Sequence, residues 1–472
     1  MYIQTFIYGK IPIQMWEYPV MVLLLIAVFA VGTYIRNRRI LHHPEYKYFV
    51  WGLLTKVLGG FFFACIYIFY YGQGDTTTYY ECSLAFCKLL GHDVSDFFTV
   101  LMGDGTQEMK SYFTSETGEP LMSTFQENST RFMMKLLIPF LLLGGTSYFI
   151  TTILVSVFTY GGLWSLFRMF VSYYPEHTKS LALAVLFMPS VMFWGSGILK
   201  DSFTLAATCY LIVAINQIMQ RKGNIYFNII KIILFTFVVL SIKAYIISIL
   251  LPSTMVWMLY NKVRSIRNRL FRYMILPLVY VVVVFGSYFG LKAFGESMGK
   301  FSIDRALKTA AINQNDLKQE HYGGNSFDIG DFDPTVGGAL SKFPQATMAG
   351  LFRPYLWDSR NVVMILSALE NTFVLILTLI VLIRIKWRRI MQFLVRQPLL
   401  LYCLVFSILF AFMIGLTSPN YGALVRFRVP LIPLYMACLV ILYQELRFPK
   451  STKIKIQTSE RNVRRSQQEI QA

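Results

Sequence analysis

The chain has 472 residues, of which 55% are hydrophobic and 15% charged, with 44 Lys and Arg against 25 Asp and Glu. Soluble domains are about 45–50% apolar and about 25% charged, so this composition, with a mean hydropathy of +0.51, excludes a disordered, collagen-like or disulfide-stapled chain. The apolar residues come in long runs, so lipid is the solvent for most of the chain, and topology must account for the net charge of +19 before a nucleic-acid partner is invoked.

Cys65, Cys209, Cys403 and Cys438 lie in apolar runs and read as small core residues. Cys82 and Cys87 share one polar segment, which leaves a disulfide open without implying one. The five histidines are scattered, and the adjacent His42 and His43 face different sides of a helix, so no metal set is indicated.

A spanning helix needs roughly 20 apolar residues. The first candidate, near 17–35, is followed by Arg36, Arg38 and Arg39. With no basic segment before it and no small-residue cleavage site after it, it reads as an anchor rather than a signal peptide. The second, near 52–72, is released at Gly72-Gln73-Gly74-Asp75. Further candidates lie near 147–171, 180–197, 202–220, 225–241, 243–261, 271–290, 361–384, 398–417 and 428–445. The expectation is an all-α polytopic membrane protein of about eleven spans, forming one membrane domain over 1–445 with a basic tail at 446–472.

Segment 133–146 is apolar but short. Read as a re-entrant or interfacial helix, it leaves Lys262, Arg264, Arg267, Arg269, Arg384, Lys386, Arg388 and Arg389 on the side of Arg36–Arg39. The same parity splits 225–261 into a short helix pair with Lys243 near its turn. The positive-inside rule then places the N-terminus outside and the C-terminus in the cytoplasm. The basic tail lies near anionic headgroups, with no motif for nucleic acid.

Two long outer segments result, 73–132 and 291–360. The first carries nine acids, Asp75, Glu81, Asp93, Asp96, Asp104, Glu108, Glu116, Glu119 and Glu127, against Lys88, Lys110 and Arg131. Apolar patches at 97–102 and 346–352 suggest helices lying on the membrane surface. No P-loop, dinucleotide fingerprint or G-x-S-x-G is present, and no internal repeat is visible.

Ionisable residues near membrane depth default to functional candidates. Asp75 follows a glycine-released helix end, where a carboxylate suits either proton abstraction or a helix start. Lys200 and Asp201 close the turn Pro189-Ser190-Val191-Met192-Phe193-Trp194-Gly195-Ser196-Gly197, where a lysine suits a phosphate or an interfacial anchor. Lys243 falls at an apex. Arg353 is aimed by Pro354, and Glu370 sits inside the next span, wanting Lys243 or an arginine as partner. Arg426 and Arg428 oppose the positive-inside trend, which asks for a bound anion.

At these residues a resemblance emerges. The G-D-T-x-x-Y loop, the P-S-x-x-F-W-x-S-G-x-x-K-D turn and the R-P-Y segment resemble those of bacterial, Bacteroidetes-like integral membrane proteins. More broadly, the chain is similar to the GT-C superfamily of polytopic glycosyltransferases, protein-mannosyltransferase-like members in particular. The resemblance covers roughly residues 50–445. It implies sugar transfer from a polyprenyl-phosphate-linked donor, on the non-cytoplasmic face of a bacterial inner membrane. By resemblance Asp75 is the catalytic base. Tyr79, Glu81, Asp201 and Glu370 serve the acceptor or support the site, and Lys200, Lys243, Arg353, Arg426 and Arg428 hold the lipid phosphate. The acid follows the second span rather than the first and has no acidic neighbour, so no metal or other cofactor is indicated. An O-antigen or capsule polymerase of the Wzy type and a transporter or flippase stay open. Against the transporter stands charge gathered at the outer rim rather than at broken helices in the midplane.

Overall fold

The computed structural model describes residues 5–8, 11–264, 325–360 and 362–447, with isolated positions 308 and 311–312. The expected span 271–290, the rest of 291–324 and the tail beyond Arg447 lie outside the described residues.

A hairpin of β1 (Thr5–Tyr8) and β2 (Ile11–Gln14) precedes an all-α chain. Its helices are α1 (Glu17–Arg39), α2 (Phe49–Cys65), α3 (Asp75–His92), α4 (Val94–Met102), α5 (Gln107–Lys110), α6 (Met122–Gln126), α7 (Asn128–Leu143) and α8 (Tyr148–Tyr173). There follow α9 (Thr178–Leu186), α10 (Pro189–Phe193), α11 (Lys200–Met219) and α12 (Ile225–Arg264). The described remainder is α13 (Val336–Ser341), α14 (Phe343–Phe352), α15 (Val362–Arg384), α16 (Trp387–Arg396), α17 (Pro398–Thr417), α18 (Tyr421–Phe427) and α19 (Ile432–Arg447).

Among the described residues seven helices are long and apolar enough to cross a membrane, or eight if the bent pair α18 and α19 is one span. Burial separates two kinds. In α1 the hydrophobic run stays exposed, as at Leu23 and Ile26, so its partner is lipid. By contrast α8 and α11 are apolar on all sides and mostly buried, and form the centre of the bundle. Glu17 in the first turn of α1 and Arg36, Arg38 and Arg39 in its last turn complement the helix dipole.

The structure departs from the sequence expectation in three places. The apolar run 180–197 is not one span: it breaks at Phe187–Met188 into α9 and α10, followed by a buried non-helical stretch to Leu199. Pro189 starts a new helix there, because it has no N–H to continue the old one. The run 225–261 does divide at Lys243, as charge parity expects, but at a kink rather than a loop. Its arms join directly at Lys243, the single residue with non-helical angles. Third, 346–352 does not lie on the surface. It forms the buried face of α14, packed into α17 through two small-residue pairs. A Cβ on Gly350 would strike the Ala411 carbonyl, and one on Gly415 the Ala346 carbonyl. That Ala-x-x-x-Gly spacing on both helices lets the backbones touch. Most of the short segment 133–146 falls in the C-terminal part of α7, which is not among the candidate spans and contains Pro139, and its last three residues turn toward α8.

Contacts at the helix ends define two opposite faces. On one, Arg39 donates to Tyr46 at 2.7 Å, Arg168 meets Glu45 at 3.2 Å, His177 meets Glu445 at 2.8 Å and Tyr174 donates to Gln397 at 3.3 Å. On the other, Ser147 meets Glu17, Tyr80 donates to the Thr146 carbonyl at 2.8 Å, and Lys200 meets Glu127 at 3.2 Å. The arginines in the last turn of α1 and those around α16 therefore share the first face. All six cysteines are free, including Cys82 and Cys87 on α3.

Candidate functional site

The second face carries a cluster built from four separated elements. Gly72, in the left-handed region at φ +72°, ends the turn after α2, and Gly74 leaves room for the Tyr67 ring. Asp75 is thereby the first residue of α3, and the cap is Gly74 rather than Asp75 itself. The Asp75 carboxylate, 49% exposed, meets Arg426 of α18 at 2.7 Å.

Asp201 lies in the first turn of α11 and is buried. One of its oxygens holds Lys243 at 2.5 Å and the other lies 3.5 Å from Arg426. The level of Lys243 follows from counting. Eighteen residues separate Ile225 from Lys243, about 27 Å of helix, and α11 runs nearly the same length in the opposite direction. Lys243 thus arrives beside Asp201, at the end of a membrane crossing of about 30 Å. The break there lets it leave the helix ladder, and its ammonium sits 3.9 Å from the centre of the Phe427 ring.

Lys200 donates to Thr130 at 2.6 Å and Ser129 at 2.9 Å, and pairs with Glu127 at 3.2 Å. It also lies 5.6 Å from the Tyr79 ring. Tyr79 follows Asp75 by one turn of α3, so it shares that face. Burial, and then the negative charge of Asp75, pushes its phenol well up, which keeps it a donor. Burial also pushes the Glu127 carboxyl up, but hydrogen bonds from Ser129 and Thr130 and the Lys200 charge hold it below the usual range. Trp194 supplies a ring 5.9 Å from the Arg426 guanidinium, whose Nε is buried without a hydrogen-bond acceptor.

Of the residues singled out by sequence, Asp75, Tyr79, Lys200, Asp201, Lys243 and Arg426 come together. The others do not. Glu370, buried in α15, accepts from the Ser190 backbone N–H and hydroxyl, both at 2.6 Å. It therefore caps α10; its hydrogen-bond partner is Ser190, and the charge that faces it is the buried Arg428 rather than Lys243. Arg428 is fully buried, bonded to Asn371 and to the Arg353 carbonyl at 3.0 Å. A headgroup cannot reach it, so its role is structural. Arg353 lines a separate cavity of about 420 Å³ with Asp328, Gln345 and Tyr355, and donates to Tyr421 at 3.3 Å. Glu81 stands about 240° around α3 from Asp75, off the shared face. A larger apolar cavity of about 460 Å³ between α9, α15 and α19 includes Glu370 but none of the cluster residues.

Sequence reasoning passes over Lys56. It lies inside the second span, so the rule that selects Glu370 selects it equally. It is fully buried and donates to the Gly195 carbonyl at 2.5 Å and the Val191 carbonyl at 3.1 Å. Glu370 and Lys56 thus hold the two ends of α10, each with the sign that complements the local dipole. Glu127 and Trp194 also join the site unannounced. On the opposite face, the adjacent Glu176 and His177 and the distant Glu445 bring three atoms able to hold a metal within 4.8 Å of one another.

No family model matches this chain, and no curated protein or solved structure matches it.

Proposed function

We propose that the protein transfers a sugar from a polyprenyl-phosphate-linked donor to an acceptor at the face bearing Asp75, in the manner of GT-C glycosyltransferases. The observation that carries this is the convergence of a half-exposed carboxylate with arginine and lysine at the end of the membrane crossing. The basic face, with the arginines at the end of α1 and around α16, is the cytoplasmic one by the positive-inside rule. The cluster is then extracytoplasmic, and the N-terminus with it, in a bacterial inner membrane.

Each cluster cation already has a carboxylate partner, so the donor phosphate binds by exchange. Glu127 is 58% exposed and swings into water, its place beside the largely buried Lys200 taken by the donor phosphate. Lys200 and Arg426 then hold the phosphate and stabilise it as the bond to the sugar breaks. Lys243 and Asp201 are buried and position Arg426. Asp75 accepts the proton of the acceptor hydroxyl as its oxygen attacks the anomeric carbon. The polyprenyl phosphate leaves with the bonding pair, and the anomeric centre inverts.

One observation favours a second reading, a transporter or flippase. Helices break beside the cluster, at Lys243 and between α18 and α19, which bend by 69°. Broken helices line transport sites. Reconstituted vesicles holding a labelled lipid-linked sugar separate the two. Transfer releases free polyprenyl phosphate and is lost in Asp75→Asn. Movement of the intact lipid across the bilayer without bond cleavage supports the transporter and overturns the enzyme reading.

A further inference from the structure

Helix α16 joins α15, which ends at Arg384, to α17, which begins at Pro398, and so lies at the basic face. Between these two points the chain carries Arg384, Lys386, Arg388, Arg389 and Arg396 and no acid. Among the described residues none of these five makes an ion pair.

The arrangement around α16 has three arcs, at about 100° per residue. Ile390 and Leu394 are buried against the bundle. Trp387 is 63% exposed and Met391 38% exposed, with Val395 half-buried on the same side. Arg388, Arg389, Gln392 and Arg396 are exposed and form the third arc. One apolar side is thus used by the core, and an adjacent apolar side is left open beside a cationic one. A helix packed only for stability would have no need of an exposed tryptophan at this level. A helix seated in a leaflet does, with its apolar side in the acyl boundary and its arginines among the headgroups.

We propose that α16 is an interfacial helix that binds anionic phospholipid headgroups of the leaflet on the basic face. The occupant is the lipid leaflet rather than another protein. The uncompensated positive charge complements anionic headgroups, and the exposed apolar arc is continuous with the lipid-facing side of α15, where Leu382 and Ile383 are exposed. The inference is independent of the chemistry at Asp75.

The test uses the full-length protein in bilayer nanodiscs of mixed phosphatidylglycerol and phosphatidylcholine. Native mass spectrometry reads the ratio of the two lipids retained. One cation near the surface contributes about fivefold in anionic-lipid preference, so Arg388→Gln and Arg389→Gln should each lower the ratio by about that factor. An unchanged ratio in the double variant overturns the proposal. A bimane label at Met391→Cys, read against the unmodified protein, gives depth. Quenching by a shallow doxyl lipid is expected. Quenching by aqueous iodide alone, as for a helix awaiting a protein partner, overturns it.

Discussion

The Arg426 guanidinium lies 2.7 Å from one Asp75 oxygen and 3.5 Å from Asp201. One arginine thus joins a half-exposed acid to a buried one, and the two acids have different jobs. Asp75→Asn should change the melting point little, about 1 kcal/mol or less, since water screens the half-exposed Asp75 carboxylate and Asp201 still neutralises the largely buried Arg426. Asp201→Asn strips the buried Lys243 of its counter-charge and should cost about 3–5 kcal/mol. Thermal unfolding of both variants in the same detergent measures the difference. Equal losses would show that the two acids are not divided this way.

Lys56 and Glu370 make a prediction about α10. Lys56→Met keeps the side-chain volume but leaves the Val191 and Gly195 carbonyls without their donor, a loss of about 1–3 kcal/mol. Hydrogen exchange should rise over 188–199 before it rises in α8. Uniform exchange would mean that α10 is held by packing alone.

How much of this was legible in the sequence depends on the length of the contact. The long apolar runs announced α1, α8, α11, α15 and α17 within a few residues, because lipid imposes one length. The break at Lys243 was legible through charge parity, whereas the one at Met188 was hidden, since apolar runs look alike whether straight or broken. Asp75, Lys200, Asp201, Lys243 and Arg426 stood out as charges near span ends. Arg428 and Glu370 looked the same by that rule. Only the fold separates a charge aimed at the site from one satisfied by Asn371 or Ser190.

Glu127 should make the cluster acid-sensitive. Its carboxyl is held below the usual range in the folded protein, so its contribution is present above the unfolded value of about 4.3 and is lost as pH falls through the lower folded value. The stability difference between the native protein and Glu127→Gln should therefore shrink as pH drops below about 4. Melting curves over pH 3–7 check the sign, and a difference that grows toward acid would contradict it.

The Ala346–Gly415 and Gly350–Ala411 contacts leave no room for a side chain. Gly415→Val should push α14 away from α17 and cost about 1–3 kcal/mol, as overpacking does. Gly337, with nothing near its Cβ direction, serves as the control and should tolerate alanine. Melting points of the two variants compare them directly.

The most direct measurement is single-turnover transfer from a pool of radiolabelled polyprenyl-phosphate sugars by the purified protein in proteoliposomes, alongside Asp75→Asn at a matched melting point. The account predicts released polyprenyl phosphate and a labelled acceptor with the native protein, and neither with the variant. Full turnover by Asp75→Asn, or intact donor carried across the bilayer by the native protein, would contradict it.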